Sequence, residues 1–171
     1  MRYFFIFGME KSHRPYIYML ISYFFYSVSI AFVAFVVGMG VSSRVINTRF
    51  YTRLSNLNVV KNERINQMIG LGIVKWVVRN TFFKRFNPHL KIEKRLSATD
   101  LRQLRAVMNK SEIDHLFAFV FLILVVLGLL IGQQVQFGLV LFVVNVLMNF
   151  YPLLLQQQNK RRIDAILMKH A

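Results

Sequence analysis

Three consecutive stretches decide the fold: LFAFVFLILVVLGLLI (residues 116–131), GQQVQ (132–136) and FGLVLFVVNVLMNFYPLLL (137–155). A helix needs about 20 apolar residues to cross the hydrocarbon core of a bilayer. The third stretch meets that length. The first meets it when its helix extends back through the turn holding Glu112 and His115, so the paired spans are 112–131 and 137–155. Five residues, Gly132 to Gln136, are too few to do anything but reverse the chain, which predicts an antiparallel helical hairpin in the membrane.

Working outward, residues 16–41 form another apolar run with no charged residue. Pro15, just ahead of it, suits the first turn of a helix, where its missing N–H is not needed. A cleavable signal peptide is the rival reading. Signal h-regions run about 7–15 residues and end at a small-x-small site; this run is longer, and Gly38-Met39-Gly40-Val41-Ser42-Ser43 offers no clear one. A retained anchor is expected. The fold class predicted is therefore an all-α integral membrane protein with about three transmembrane helices, an N-terminal anchor plus a C-terminal hairpin.

The charge is segregated from the apolar runs. The chain is 56% hydrophobic and 17% charged, with 22 Lys+Arg against 7 Asp+Glu, a formal net charge of +15. Most of the basic residues lie in segment 42–111 and in the tail 156–171. The hairpin turn carries none, and the N-terminal stretch only Arg2, Lys11 and Arg14. With three crossings the basic segment and the tail share a side, and the positive-inside bias assigns that side to the cytoplasm of a bacterial inner membrane, with the N-terminus outside. Positive charge alone suits nucleic acid, but no groove-reading motif accompanies it, and nucleic acid is not an expected partner. The absence of cysteine removes disulfides, thiolate nucleophiles and thiolate metal sites.

The basic segment is more than a loop. Residues 68–79, MIGLGIVKWVVR, are apolar but broken by glycine and charge and too short to span. They read as an interfacial or re-entrant helix with Trp76 at headgroup depth and Lys75 and Arg79 snorkelling. The run from Phe82 to Pro88 continues it as an aromatic and basic surface stretch. Further on, Ser97 or Thr99 caps a helix that leads into the second span.

Polar groups at a membrane boundary are costly and call for partners. Glu112 and His115, three apart, share a helical face and can bond each other or a common ligand. Asn145, Asn149 and Gln156 fall within about 40° of one another on an ideal helix, a polar stripe beside Pro152, which frees the carbonyl near Met148. Counting both helices back from a turn centred at Gln134 puts Glu112 opposite Gln157 and His115 opposite Leu154, with Asn149 about 7–8 Å deeper. A carboxylate, an imidazole, a polar ladder and the cations Lys160, Arg161 and Arg162 thus converge. Such a cluster suits an amphiphile with a polar or anionic head. Each feature also has a plainer account, as a cap, a helix-packing amide or a topology signal. No metal is expected, since His89 lies in the loop and His13 across the membrane, and no phosphate loop or nucleophile motif calls for a cofactor.

The same residues resemble a known family. Glu112-Ile113-Asp114-His115 matches the Glu-x-x-His of the glycosyl-4,4'-diaponeurosporenoate acyltransferase family of small bacterial membrane proteins. The run from Asn149 through Tyr151, Pro152, Gln156 and Asn159 to Arg162 is similar to that family's Asn-x-Tyr-Pro-x-x-x-Gln-Arg-Tyr-Asn-Arg-x-Arg, and Gly72 to Trp76 to its Gly-Val-Lys-Lys-Trp element. Asn56-Leu57-Asn58 looks like its asparagine-containing stretch. The resemblance implies acyl transfer from a donor of acyl-CoA type to a lipid-linked sugar such as a carotenoid glycoside. It implies His115 as general base, Glu112 as its orienting partner and Asn149 as a group that positions substrate or polarises the thioester carbonyl. Gln156, Asn159, Lys160, Arg161, Arg162, Lys75 and Trp76 then form the substrate-binding set. The chain departs from the pattern at Gln157-Gln158, where the family has Arg-Tyr, and at Lys160, where it has arginine. Losing a forked guanidinium removes a charge and a bidentate contact. The departures point to a different head group or to a relative without activity. The alternative to an enzyme is a non-catalytic membrane subunit whose basic segment docks anionic lipid or a protein partner, each basic residue contributing about 1 kcal/mol toward such lipid.

Overall fold

The computed structural model describes residues 2–57, 59–60, 62–81 and 97–169. The stretch Phe82 to Pro88, together with His89 and His170, lies outside them. Among the described residues the structure is helical throughout, with no strand. Seven α-helices follow in order: α1 (Arg2–Val45), α2 (Arg49–Ser55), α3 (Glu63–Met68), α4 (Leu71–Asn80), α5 (Ala98–Ile131), α6 (Val135–Asn145) and, after a π turn at Val146–Phe150, α7 (Tyr151–Lys169). Three segments are long and apolar enough to cross a membrane: Pro15–Val45, Ala98–Ile131 and Val135–Lys169. The chain is an all-α integral membrane protein.

The hairpin turn closes as a helix C-terminal lock. The Gln133 amide donates to the Leu130 carbonyl at 3.1 Å and the Gln134 amide to Leu129 at 2.8 Å, the paired bonds that satisfy the last carbonyls of a helix. The price is a left-handed backbone at Gln133, φ 59°, which a side chain tolerates at roughly 1–2 kcal/mol.

α1 packs antiparallel to α5 through small side chains. Ser27, Ala31, Ala34, Gly38 and Ser42 are all buried, at spacings of four, three, four and four that keep them on one face. Ala31 and Ala34 meet Ala118, Leu122, Leu141 and Val144 in one core. The approach is closest at Gly38, where a Cβ would lie 2.5 Å from the Asp114 carbonyl oxygen and 3.0 Å from the Ala118 nitrogen. Large side chains of the same helix, Phe24, Phe25, Phe32, Val33 and Val36, face outward. Lipid tails solvate them as well as a core would, so close packing of small residues rather than the hydrophobic effect holds the helices. At the two ends, Ser42 donates to Asp114, which also takes Lys110 at 3.0 Å, and Gln136 donates to the Tyr16 hydroxyl. The start of the first span and the hairpin turn therefore lie at one end of the bundle, and the basic segment at the other.

Several local expectations change. Pro15 lies inside α1 rather than in its first turn, because the helix continues upstream to Arg2. Of the two candidate caps for α5, Ser97 is the one used: it accepts from the Asp100 amide, and Asp100 accepts from the Ser97 amide in return. The basic tail is helical to Lys169 and packs on the first turns of α5 through Leu101, Leu104, Met108 and Ile163, with a bidentate Arg105–Asp164 pair at 2.5 and 3.2 Å on its flank. The hairpin thus runs well past its apolar stretch.

The third helix is not ideal, and the reason is readable. Leu141, Asn145, Asn149 and Leu153 are spaced by four and would drift by roughly 120° over three steps at 100° per residue. All four are nonetheless fully buried. The π turn at Val146–Phe150, where the Tyr151 amide reaches back to the Val146 carbonyl, absorbs one residue and returns them to one face. Pro152 favours it, since its missing N–H leaves the Met148 carbonyl without the usual bond.

Candidate functional site in the helical hairpin

Polar residues from α5 and the α6–α7 segment form two clusters, one nearer the basic end and one deeper. The outer cluster centres on Lys160. Its ammonium donates to the Ser55 carbonyl at 2.8 Å and to Asn109 Oδ1 at 3.1 Å, and pairs with Glu112. Three partners use all three donors of an ammonium. The other Glu112 oxygen accepts from Gln157 Nε2 at 2.9 Å, as the register count expected. Gln157 also donates to the Leu57 carbonyl (3.2 Å) and accepts from the Val59 amide (3.0 Å). Lys160 is 4% exposed, Glu112 2% and Gln157 1%. Arg161 continues the pattern with a bond to the Val60 carbonyl at 3.1 Å.

The outer cluster therefore stitches the segment after α2 onto α7. Tyr151 adds a bond from its hydroxyl to the Ile69 carbonyl at 2.6 Å, and Leu71 of α4 packs on Leu153, Leu154 and Leu155. Tyr51 of α2 closes the group beside Asn109. Burial raises its hydroxyl above the usual phenol range, opposed by the Asn109 hydrogen bond, so it stays neutral.

The deeper cluster centres on His115. The expected bond between Glu112 and His115 is not made, because the Glu112 carboxylate is taken up by Lys160 and Gln157. The ring of His115 is instead held by Asn149, with Nδ1 to Oδ1 at 3.4 Å, and by Phe35 of α1, whose ring centroid lies 4.6 Å away. Asn149 Nδ2 donates to Asn145 Oδ1 at 2.9 Å, and Asn145 Nδ2 to the Phe119 carbonyl at 3.1 Å. The His115 side chain thus meets Asn149, which counting from the turn puts deeper. Its ring is half-buried, and its hydrogen bond to Asn149 is made at Nδ1.

The remaining expected residues are spread around these clusters. Gln156 is buried and reaches Ser111 at 3.5 Å through Nε2, while its Oε1 and Asn159 Nδ2 are buried and meet no hydrogen-bond partner among the described residues. Arg162 is exposed. Lys75 and Trp76 lie on α4, and the Trp76 side chain, 65% exposed, faces the surroundings rather than the hairpin. Asn109 and Tyr51 went unread from sequence. Asn109 precedes Glu112 by three and so shares its face, which was the available signal; Tyr51 had none, because α2 meets α5 only in the fold.

Helices that span a membrane, closed around buried polar residues at the hairpin, define a polytopic membrane protein with a polar interior. Its family follows from comparison. The family model described as glycosyl-4,4'-diaponeurosporenoate acyltransferase matches residues 47–169, from the approach to α2 to the end of α7, and the chain belongs to that family. No curated protein and no solved structure matches it.

Proposed function

We propose that the protein transfers an acyl group from a thioester donor of acyl-CoA type to a hydroxyl of a glycolipid, a carotenoid glycoside or a similar lipid-linked sugar. The observation that carries this reading is the family match over residues 47–169. A half-buried imidazole held at one ring nitrogen supports it. His115 removes the hydroxyl proton as the sugar oxygen attacks the thioester carbonyl; the carbon–sulfur bond breaks, and the imidazolium returns the proton to the departing thiolate. Membrane lipid is the medium from which the acceptor enters.

The other residues take roles consistent with their partners. Asn149 holds the ring through its oxygen. Glu112 and Lys160 fix the hairpin to the segment after α2, and Arg161 fixes the same segment at Val60. Gln156 and Asn159, each with a buried polar atom to satisfy, bind the polar head, and exposed Arg162 meets the donor's phosphates. Lys75 and Trp76 sit α4 at the interface. The basic end faces the cytoplasm, where such a donor is found, and the positive-inside bias supports that orientation.

The test is a comparison of lipid and pigment extracts from cells with and without the chain. An acylated glycolipid should disappear on deletion and stay absent when His115→Ala is supplied. If every lipid species persists, the reading fails, and the non-catalytic subunit, favoured by the internal saturation of the Glu112–Lys160 cluster, takes its place.

A further inference from the structure

We propose that Asn145, which touches neither ring nor solvent, is a positioning residue that sets which nitrogen of His115 carries the proton. The inference deepens the acyl-transfer reading and rests on it for its meaning, but the proton's position is a property of the resting protein.

The polarity of the chain follows from its anchor. The Phe119 carbonyl can only accept, so Asn145 must present its NH2 group there, at 3.1 Å. An amide has two ends, so the Asn145 oxygen points the other way. At 2.9 Å from it, Asn149 must also present its NH2, which turns the Asn149 oxygen toward His115. Nδ1 of the ring, at 3.4 Å, is then the nitrogen with the hydrogen. Nε2 keeps its lone pair and is the basic atom. Each assignment forces the next, and the sequence runs from a backbone group that cannot flip to a ring that can.

Burial makes the forcing effective. Asn145 and Asn149 are 0% and 1% exposed, so no water takes over a mispaired end. Reversing either amide would set oxygen against oxygen or NH2 against NH2, leaving buried groups unpaired. Phe35 lies against the imidazole, tilted by 32°, and restricts rotation of its plane. In water a neutral imidazole side chain prefers the opposite tautomer, with hydrogen on Nε2, so the protein must impose this one. The partner that fixes one ring nitrogen decides the role of the other. Here that partner is an amide chain, in place of the carboxylate expected from the Glu112-x-x-His115 spacing.

The experiment uses the full chain in lipid nanodiscs with ring-labelled histidine. The His115 signals are assigned by their loss in His115→Gln and read at a pH where the ring is neutral. Nitrogen and carbon shifts distinguish the two tautomers. The wild type should show hydrogen on Nδ1. Asn145→Leu, similar in volume but unable to hydrogen-bond, should move the population to Nε2–H or to a mixture, and Asn149→Leu should do the same. In the transfer assay Asn145→Leu should lower kcat by about tenfold or more, with KM within about twofold, as expected for a misplaced proton rather than lost binding. A wild-type ring protonated on Nε2, or an Nδ1–H signal unmoved in Asn145→Leu, overturns the proposal. An Nδ1–H ring in a protein that transfers no acyl group supports it and sinks the acyl-transfer reading alone. Asn145→Leu needs only to retain its helical spectrum; if it does not, Asn145→Ala, which also removes the amide, is read in its place.

Discussion

The two polar clusters of the hairpin are built from similar materials and do different things. Around Lys160, the described donors and acceptors meet: an ammonium with three partners, a carboxylate with two, and a glutamine amide with three. Around His115, a line of single hydrogen bonds ends at a ring with a lone pair to spare. The first cluster is closed and holds chain segments together. The second is open at one atom. Spacing alone pairs Glu112 with His115; their partners separate them into a fastening and the base proposed above. A group whose bonds are all used for structure has little left for chemistry, however conspicuous its charge.

The magnitudes agree with that division. Removing one partner of a buried ion pair costs about 3–5 kcal/mol because the other charge stays buried. Hydrogen bonds between membrane helices average about 0.6 kcal/mol, so the asparagine chain contributes little to stability. Its worth is directional.

The largest effect should come from the open cluster. His115→Gln should lower acyl transfer by about 10²–10⁴-fold with the unfolding midpoint in detergent close to wild type; a variant that transfers normally would erase the contrast. Next, Glu112→Leu should cost about 3–5 kcal/mol of stability in a denaturant titration, and adding Lys160→Met should restore most of it. Should Glu112→Leu instead spare the fold and abolish only the rate, the two clusters would have exchanged roles. Gly38→Ala, which drives a methyl into the Asp114 carbonyl, should cost about 1–3 kcal/mol. Because α1 also delivers Phe35 to the imidazole, this variant should lower transfer by more than its unfolding predicts, sharpening the link between α1 and the open cluster. The smallest change is a control: Gln133→Gly relieves the left-handed turn and should add about 1 kcal/mol with the transfer rate unchanged, since the turn touches neither cluster.

Much of the architecture was legible because lipid demands it. Residues 116–131 and 137–155 leave water for the same reason in any chain, and Gly132 to Gln136 can only turn. The stripe Ser27-Ala31-Ala34-Gly38-Ser42 was equally readable, as small residues at helical spacing, although hydropathy alone sees only an apolar run. The register was less accessible. A count at 3.6 residues per turn puts Glu112 at Gln157, where it is, and leaves Asn149 deeper than His115, whereas the two side chains meet.

By itself the sequence determined the helical class, the spans, their antiparallel pairing and the polar residues that must find partners inside. Hydrophobic length and the need to satisfy backbone groups in lipid act locally along the chain. The tertiary structure decided which partner each polar residue finds. A π turn of five residues resets one helix face, Lys160 rather than His115 claims the carboxylate, and α2, far away in sequence, supplies the carbonyl of Ser55 that completes the cluster. Those choices depend on distances between helices, which no periodicity along a single helix contains.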